Sequence, residues 1–191
     1  MDPVSVLDYR YGTEEMRNIF RANSYLNFLL KVEATLAEAQ SEIGIVPKEA
    51  AAEIKKGISL VKRDRVEEIE AEINHDVMAV VKGLEEKVGD AGKWIHFGAT
   101  SYDIVDTARA LQHKKAIALI EKALNELIKS MSRLAKQHKD TVMLGRTHGQ
   151  WATPITFGLK MAVFTSELAI HLSFLTGDTR SIYGDTSDIS K

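Results

Sequence analysis

A stretch running from Ser101 to about His138 keeps a helical hydrophobic period without interruption, and few folds can accommodate it. From Ile117 its apolar positions are Ile117, Ile120, Leu124, Leu127, Met131 and Leu134. The spacing alternates between three and four, the pattern of a seam in a helical bundle or coiled coil. Such a helix reaches roughly 50 Å at about 1.5 Å per residue, a rod that a compact globule of 191 residues does not require. A protruding helical hairpin would satisfy the pattern. An elongated bundle shared between subunits satisfies it better, because exposed apolar stripes seek cover. Self-association through this helix is therefore expected.

The rest of the chain also reads as helical. Residues 1–12 form an irregular arm. Thr13 is an expected N-cap, with Glu14 and Glu15 suited to the positive end of a helix dipole. Met16, Ile19, Phe20, Leu26, Leu29, Leu30, Val32 and Leu36 follow a period near 3.6, and Gly44 marks a stop. Pro47 is placed at a first helical position, opening a helix to about Lys56. A charged helical stretch, 62–72, is interrupted by Asn74-His75-Asp76. Val77, Val80, Val81 and Leu84 then resume the apolar face, and residues 88–92 read as a break. Loops are expected at 93–100 and 140–153, with Thr153-Pro154 opening a last helix to about Leu175. The polar tail beyond it is expected to fray. No strand, hairpin or repeat is evident. The expected architecture is all-α: a small helical domain over residues 1–92, then the first long helices of a bundle domain over 93–191.

Composition removes several function classes. The absence of cysteine excludes disulfides, thiolate metal sites and cysteine nucleophiles. With 25 basic and 27 acidic side chains, the chain lacks the basic footprint of a nucleic-acid binder. No apolar run of about 18 residues free of charge occurs, so no membrane span is expected. The amino terminus has acids where a signal peptide carries bases. A cytoplasmic protein is the expectation. No phosphate-binding glycine loop, dinucleotide motif or paired-histidine metal motif is present, so neither cofactor nor metal is expected.

Chemistry is then sought in the polar turns at helix ends. Asn74-His75-Asp76 breaks an amphipathic pattern, as an exposed helix junction or a binding stretch would. Gly98-Ala99-Thr100-Ser101 precedes the long helix, where unpaired N–H groups and two hydroxyls suit a carboxylate or phosphate. An ordinary serine N-cap is by itself the commoner explanation, and Asp103 and Asp106 would oppose an anion unless they point elsewhere. Gly145-Arg146-Thr147-His148-Gly149-Gln150 holds a histidine between glycines. An unperturbed imidazole, with a pKa of about 6.5, suits proton transfer near neutrality. Arg10 and Tyr11 offer a phosphate grip and a stacking ring. His96, between Ile95 and Phe97, is either packed or lines a site.

Four segments in order resemble the adenylosuccinate lyase family of the fumarase/aspartase superfamily. They are D-Y-R-Y-G from Asp8, E-A-E-I-N-H-D-V through Val77, H-F-G-A-T-S-Y-D-I-V-D-T-A from His96, and G-R-T-H-G-Q-W-A-T-P-I-T-F-G-L-K from Gly145. The resemblance implies an all-helical homotetramer whose active sites are each assembled from three subunits. It also implies β-elimination of fumarate from adenylosuccinate, giving AMP, and from the succinylated aminoimidazole carboxamide ribotide of purine synthesis. No cofactor is implied. By position, His148 corresponds to the general acid that protonates the departing nitrogen, and Thr147 lines the same pocket. His75 corresponds to the histidine that orients the leaving group, with Asn74 and Asp76 beside it. Thr100 and Ser101 correspond to the pair that binds a succinyl carboxylate, and Arg10 and Tyr11 to nucleotide-phosphate contacts.

The family's base is a serine in a G-S-S-x-M-P-x-K-x-N-P loop, and these 191 residues do not contain it. The chain is expected to be the amino-terminal portion of such an enzyme, inactive by itself. Trp151 stands where histidine is common, and from about His171 the family pattern is lost. Argininosuccinate lyase, or a non-catalytic helical oligomerisation module, are the alternatives.

Overall fold

The computed structural model describes residues 10–177. Residues 1–9, with Asp8 and Tyr9 of the arm, and the polar tail after Gly177 lie outside the described residues. The fold is all-α apart from one two-stranded hairpin. Its helices are α1 (Glu14–Phe20), α2 (Ala22–Glu42), α3 (Lys48–Gly57), α4 (Arg63–Ile73), α5 (Asp76–Val88), α6 (Ser101–Gln137) and α7 (Phe157–Thr176). Short 3-10 turns cover Ile58–Leu60 and Gly89–Trp94. Strands β1 (Val142–Thr147) and β2 (Gln150–Thr156) lie between α6 and α7. The chain divides into two compact units, Met1–Ala116 and Ile117–Lys191, the division falling within α6.

The first unit holds the hydrophobic core. Leu30 of α2, Ile54 of α3, Leu84 of α5 and Ile104 of α6 are almost wholly buried. The apolar face expected of α5 is the one it buries: Val77, Val80, Val81 and Leu84. Thr13 caps α1 as expected, its Oγ1 accepting from the Met16 N–H at 3.2 Å. The periodic run from Met16 to Leu36 is carried by two helices, because Arg21 leaves helical backbone at ψ 147. Pro47 is the N-cap of α3 and not its first helical residue. In α6, the buried residues Ile104, Val105, Ala108, Gln112 and Ala116 keep one face turned inward. Gln112 donates to the Ile19 carbonyl at 2.9 Å, tying α6 to the end of α1.

The second unit departs from the expected loop at 140–153. It contains an antiparallel hairpin, with Thr147 paired to Gln150 and Val142 to Thr156. His148 (φ 50) and Gly149 (φ 72) form the two-residue turn, both left-handed. Turns of this kind match the twist of paired strands, and histidine tolerates positive φ better than most residues. Pro154 is a strand residue opposite Leu144, and not the opening of a helix. A two-stranded ribbon is all edge, so a missing N–H is tolerated there. The N-cap of α7 is Thr156, whose Oγ1 accepts from the Leu159 N–H at 3.1 Å.

The seam residues Ile117, Ile120 and Leu127 are each more than two-fifths exposed. By length and composition alone α7 is also apolar enough to cross a membrane. It carries Lys160 and Glu167, which keep it from being a charge-free run.

Candidate active site

Two polar junctions of the first unit were singled out from sequence. At the α4–α5 junction, Asn74 is left-handed (φ 52, ψ 40) and its N–H reaches the Glu70 carbonyl, ending α4. His75 is the N-cap of α5. Its Nδ1 accepts from the Met78 N–H at 3.3 Å. A neutral ring accepting at Nδ1 carries its proton on Nε2, so His75 offers a donor at its exposed end. The Asp76 carboxylate lies 3.6 Å from Nδ1. That is too long for a hydrogen bond, and Asp76 Oδ1 instead accepts from the Val77 N–H at 2.7 Å. All three side chains are exposed.

At the start of α6, Ser101 is the first helical residue and Thr100 precedes it. Asp103 turns back, its Oδ2 accepting from the Thr100 N–H at 2.9 Å. The Asp103 N–H in turn donates to the Thr100 carbonyl at 3.0 Å. Asp103 thus uses up one donor of the turn. The N–H groups of Ser101 and Tyr102 lie in the first helical turn, where no intrahelical acceptor exists. Among the described residues, neither the Thr100 nor the Ser101 hydroxyl makes a hydrogen bond within the chain. These two hydroxyls and two amides are the donors that the turn presents. An open, largely apolar groove of about 510 Å³ lies alongside, lined by Val32 and Leu36 of α2, Gly98, Ala99 and Ile104.

The loop that leads into this turn is held from α2 in a way sequence reasoning did not find. His96 sits at φ 60 and Gly98 at φ 71. Glu33, 1% exposed, accepts from the His96 backbone N–H at 3.1 Å. Its other oxygen lies 2.7 Å from His96 Nδ1. Burial pushes the Glu33 carboxyl above its usual range, and the hydrogen bonds from His96 oppose that shift. Gln40 Nε2 donates to the Phe97 carbonyl at 2.7 Å. His96 is therefore a packed residue with a buried acid as its partner.

The arm's described end is pinned to α1. Arg17 donates to the Gly12 carbonyl at 2.9 Å and to the Tyr11 carbonyl at 3.3 Å. Arg17 and Arg21 also bracket Glu14, at 3.0 and 2.9 Å, which holds its carboxyl below the usual range. Tyr11 is exposed, as is Arg10.

In the second unit, the hairpin lifts His148 to its tip, with Thr147 beside it. The His148 ring is exposed and makes no hydrogen bond among the described residues. Sequence reasoning also overlooked Lys160 as a companion of Arg146. The two cations line one concavity of about 440 Å³ beside the hairpin, with Met143, Leu144 and Ile155. Within the first unit, no hydrogen bond joins the His75 junction to the Thr100 turn among the described residues. Those described residues also contain no group of three or more acidic, histidine or cysteine side chains able to hold a metal.

The described residues form long helices that end in polar turns bearing histidine and hydroxyl donors, in a fold shared with a solved lyase structure. The chain belongs to the Lyase family, which residues 8–182 match. It is 50% identical over 174 residues to an adenylosuccinate lyase of Pyrococcus abyssi. Against the adenylosuccinate lyase of Methanocaldococcus jannaschii it is 50% identical over 175 residues. Each alignment takes in 90% of this chain and 39% or 38% of the relative, so the chain spans about two-fifths of their length. The structure of a fumarate lyase from Mesorhizobium sp. BNC1 superposes with a TM-score of 0.80 at 36% identity, covering 87% of this chain and 41% of that one. A 3-carboxy-cis,cis-muconate lactonizing enzyme from Pseudomonas putida gives 0.81 at 32% identity, covering 90% and 41%.

Proposed function

We propose that the chain supplies the amino-terminal part of an adenylosuccinate lyase active site. The assembled enzyme eliminates fumarate from adenylosuccinate, and from succinylaminoimidazole carboxamide ribotide, in the cytoplasm. The observation that carries this reading is the set of donors without an intrachain partner at the start of α6, in a chain half identical to adenylosuccinate lyases. Thr100 and Ser101 hold a succinyl carboxylate, whose charge is met by fixed hydroxyls and first-turn amides. His148 protonates the departing nitrogen, and its position at an exposed hairpin tip suits a group that must reach a substrate. His75, with its Nε2 proton held outward by the cap, donates to the substrate near the leaving group. Asn74 and Asp76 flank His75 in its binding stretch, Thr147 flanks His148, and Arg10 with Tyr11 meets the nucleotide phosphate. The small domain of residues 1–92 and the bundle domain from 93 onward belong to an assembly that is a tetramer in the complete enzyme.

The reaction also requires a base for the Cβ proton. These 191 residues supply no serine loop of the family type, so the chain alone is proposed not to turn over. The test is complementation with a polypeptide that carries the loop, following adenylosuccinate loss. His148→Ala should then slow cleavage by about 10²–10⁴-fold. An unchanged rate removes His148 from the acid role. Turnover of argininosuccinate in place of adenylosuccinate would transfer the chain to that branch of the family.

The exposed seam at Ile117, Ile120 and Leu127 favours a second reading, a helical oligomerisation module. It predicts assembly without turnover even when the missing part is supplied. A stable monomer in dilute solution would count against it.

A further inference from the structure

We infer that Glu33 and Gln40 of α2 are positioning residues for the proposed carboxylate-binding turn. They hold the His96–Phe97 backbone that leads into Thr100 and Ser101, and Glu33 keeps the His96 ring proton on Nδ1. The inference rests on the proposed carboxylate role of that turn only for its functional consequence.

Glu33 and Gln40 are seven residues apart, two helical turns, so they share one face of α2. Each reaches the loop about sixty residues away, Glu33 at His96 and Gln40 at Phe97. The loop needs such ties because its own residues resist its path. His96 at φ 60 and Gly98 at φ 71 put two left-handed residues within three positions, a conformation that costs a side-chain-bearing residue. Local order in the loop comes from the Ala99 N–H to the His96 carbonyl at 3.2 Å. Glu33 grips the residue at the acceptor end of that bond.

An ionised carboxylate accepts and cannot donate. One Glu33 oxygen takes the His96 backbone N–H and the other takes the ring. Between an ionised Glu33 and a neutral His96 the shared proton belongs to the ring, on Nδ1, and Nε2 is left as the acceptor. The carboxylate is buried, and its hydrogen-bonding partners are the backbone N–H and the ring of His96. A buried acid is costly unless it is paired, and a hydrophobic residue would pack α2 without that cost. The geometry accounts for the acid as the piece that fixes the loop.

The test uses the 191-residue chain and needs no turnover. Amide hydrogen exchange is followed at His96, Ala99, Thr100 and Asp103, with Ile54 and Leu84 as core controls. Glu33→Ala should speed exchange at the four loop amides by about tenfold or more, and Gln40→Ala should do so at Ala99, while the controls stay unchanged. Glu33→Gln keeps an acceptor for the backbone N–H but presents its NH2 to the ring. Loop exchange should then stay close to wild type, while the His96 ¹⁵N spectrum switches from an Nδ1–H to an Nε2–H ring. A merely structural role for Glu33 would not move that spectrum, and if Glu33→Ala does not fold, Glu33→Gln and Gln40→Ala still decide. Unchanged loop exchange in the alanine variants, or an Nδ1–H ring in Glu33→Gln, overturns the inference. Succinate titration separates it from the proposed function. If succinate leaves the Ser101 and Tyr102 amides of the wild-type chain unmoved, the carboxylate role falls, and the exchange data alone decide what Glu33 and Gln40 do.

Discussion

Replacing Gly158 by alanine tests how the second unit turns its corner from α6 into α7. Gly158 lies in the first turn of α7, and its N–H donates to the His138 carbonyl at 2.9 Å. A Cβ at this position would lie 2.5 Å from the Ala135 carbonyl oxygen, 2.6 Å from Lys139 Cα and 2.7 Å from the His138 carbonyl oxygen. All three neighbours are backbone atoms, so no rotamer change relieves the overlap. Ordinary carbon contacts begin at about 3.5 Å, so α7 must retreat by roughly 1 Å. Overpacking of this kind costs about 1–3 kcal/mol. Weakening the Gly158 hydrogen bond adds about 1 kcal/mol, and exchanging glycine for alanine within a helix returns about 0.5–1 kcal/mol. The net expectation is a loss of about 1–3 kcal/mol, the overpacking cost deciding the outcome. Native-state hydrogen exchange at Phe157 and Gly158 reads this locally, since Phe157 N–H also crosses the corner to the Thr141 carbonyl at 2.8 Å. Protection equal to or greater than wild type would show that α6 and α7 are not in contact at this point.

Other consequences can be checked separately. Leu84→Ala, at a fully buried core position, should lower unfolding free energy by about 2–5 kcal/mol in urea titration; a loss under about 1 kcal/mol would mean the site collapses around the cavity. Gly145→Ala would set a methyl against the Thr153 carbonyl oxygen across the hairpin, so the hairpin should open without global unfolding. Exchange at the Arg146 and Trp151 amides should rise, and unchanged rates would refute the contact. Glu33 gives a pH signature with a definite sign. Its folded carboxyl lies above the usual range because of burial. The folded state therefore holds that proton more tightly, and the associated stability is present at low pH and lost as pH rises through the folded value. The stability difference between wild type and Glu33→Gln should fall with pH across that window, and parallel curves would contradict the assignment.

Local rules were legible where they stayed local. The inward face of α5, the Thr13 cap and the extent of α6 follow from period and capping chemistry, which depend on neighbours within a turn or two. The hairpin was not legible. Its turn is His148-Gly149, not the usual asparagine or aspartate with glycine, and its second strand carries Pro154, which signals against a strand. The candidate site was half legible. His75, Thr100, Ser101 and His148 stand out because polar turns interrupt apolar patterns. That His75 would cap α5, and that Asp103 would fold back onto Thr100, depended on side-chain rotamers that spacing does not specify.

The amino-acid order by itself determined the helical class, the long rod of α6, and which turns carry donors, since backbone preference and amphipathic period are properties of short segments. It also carried the family, through four motifs in sequence. Only the tertiary structure decided that Glu33 meets His96 and that Gln40 meets Phe97. Those contacts join residues more than fifty positions apart, and a buried acid is tolerated on α2 only because the folded chain brings a partner to it.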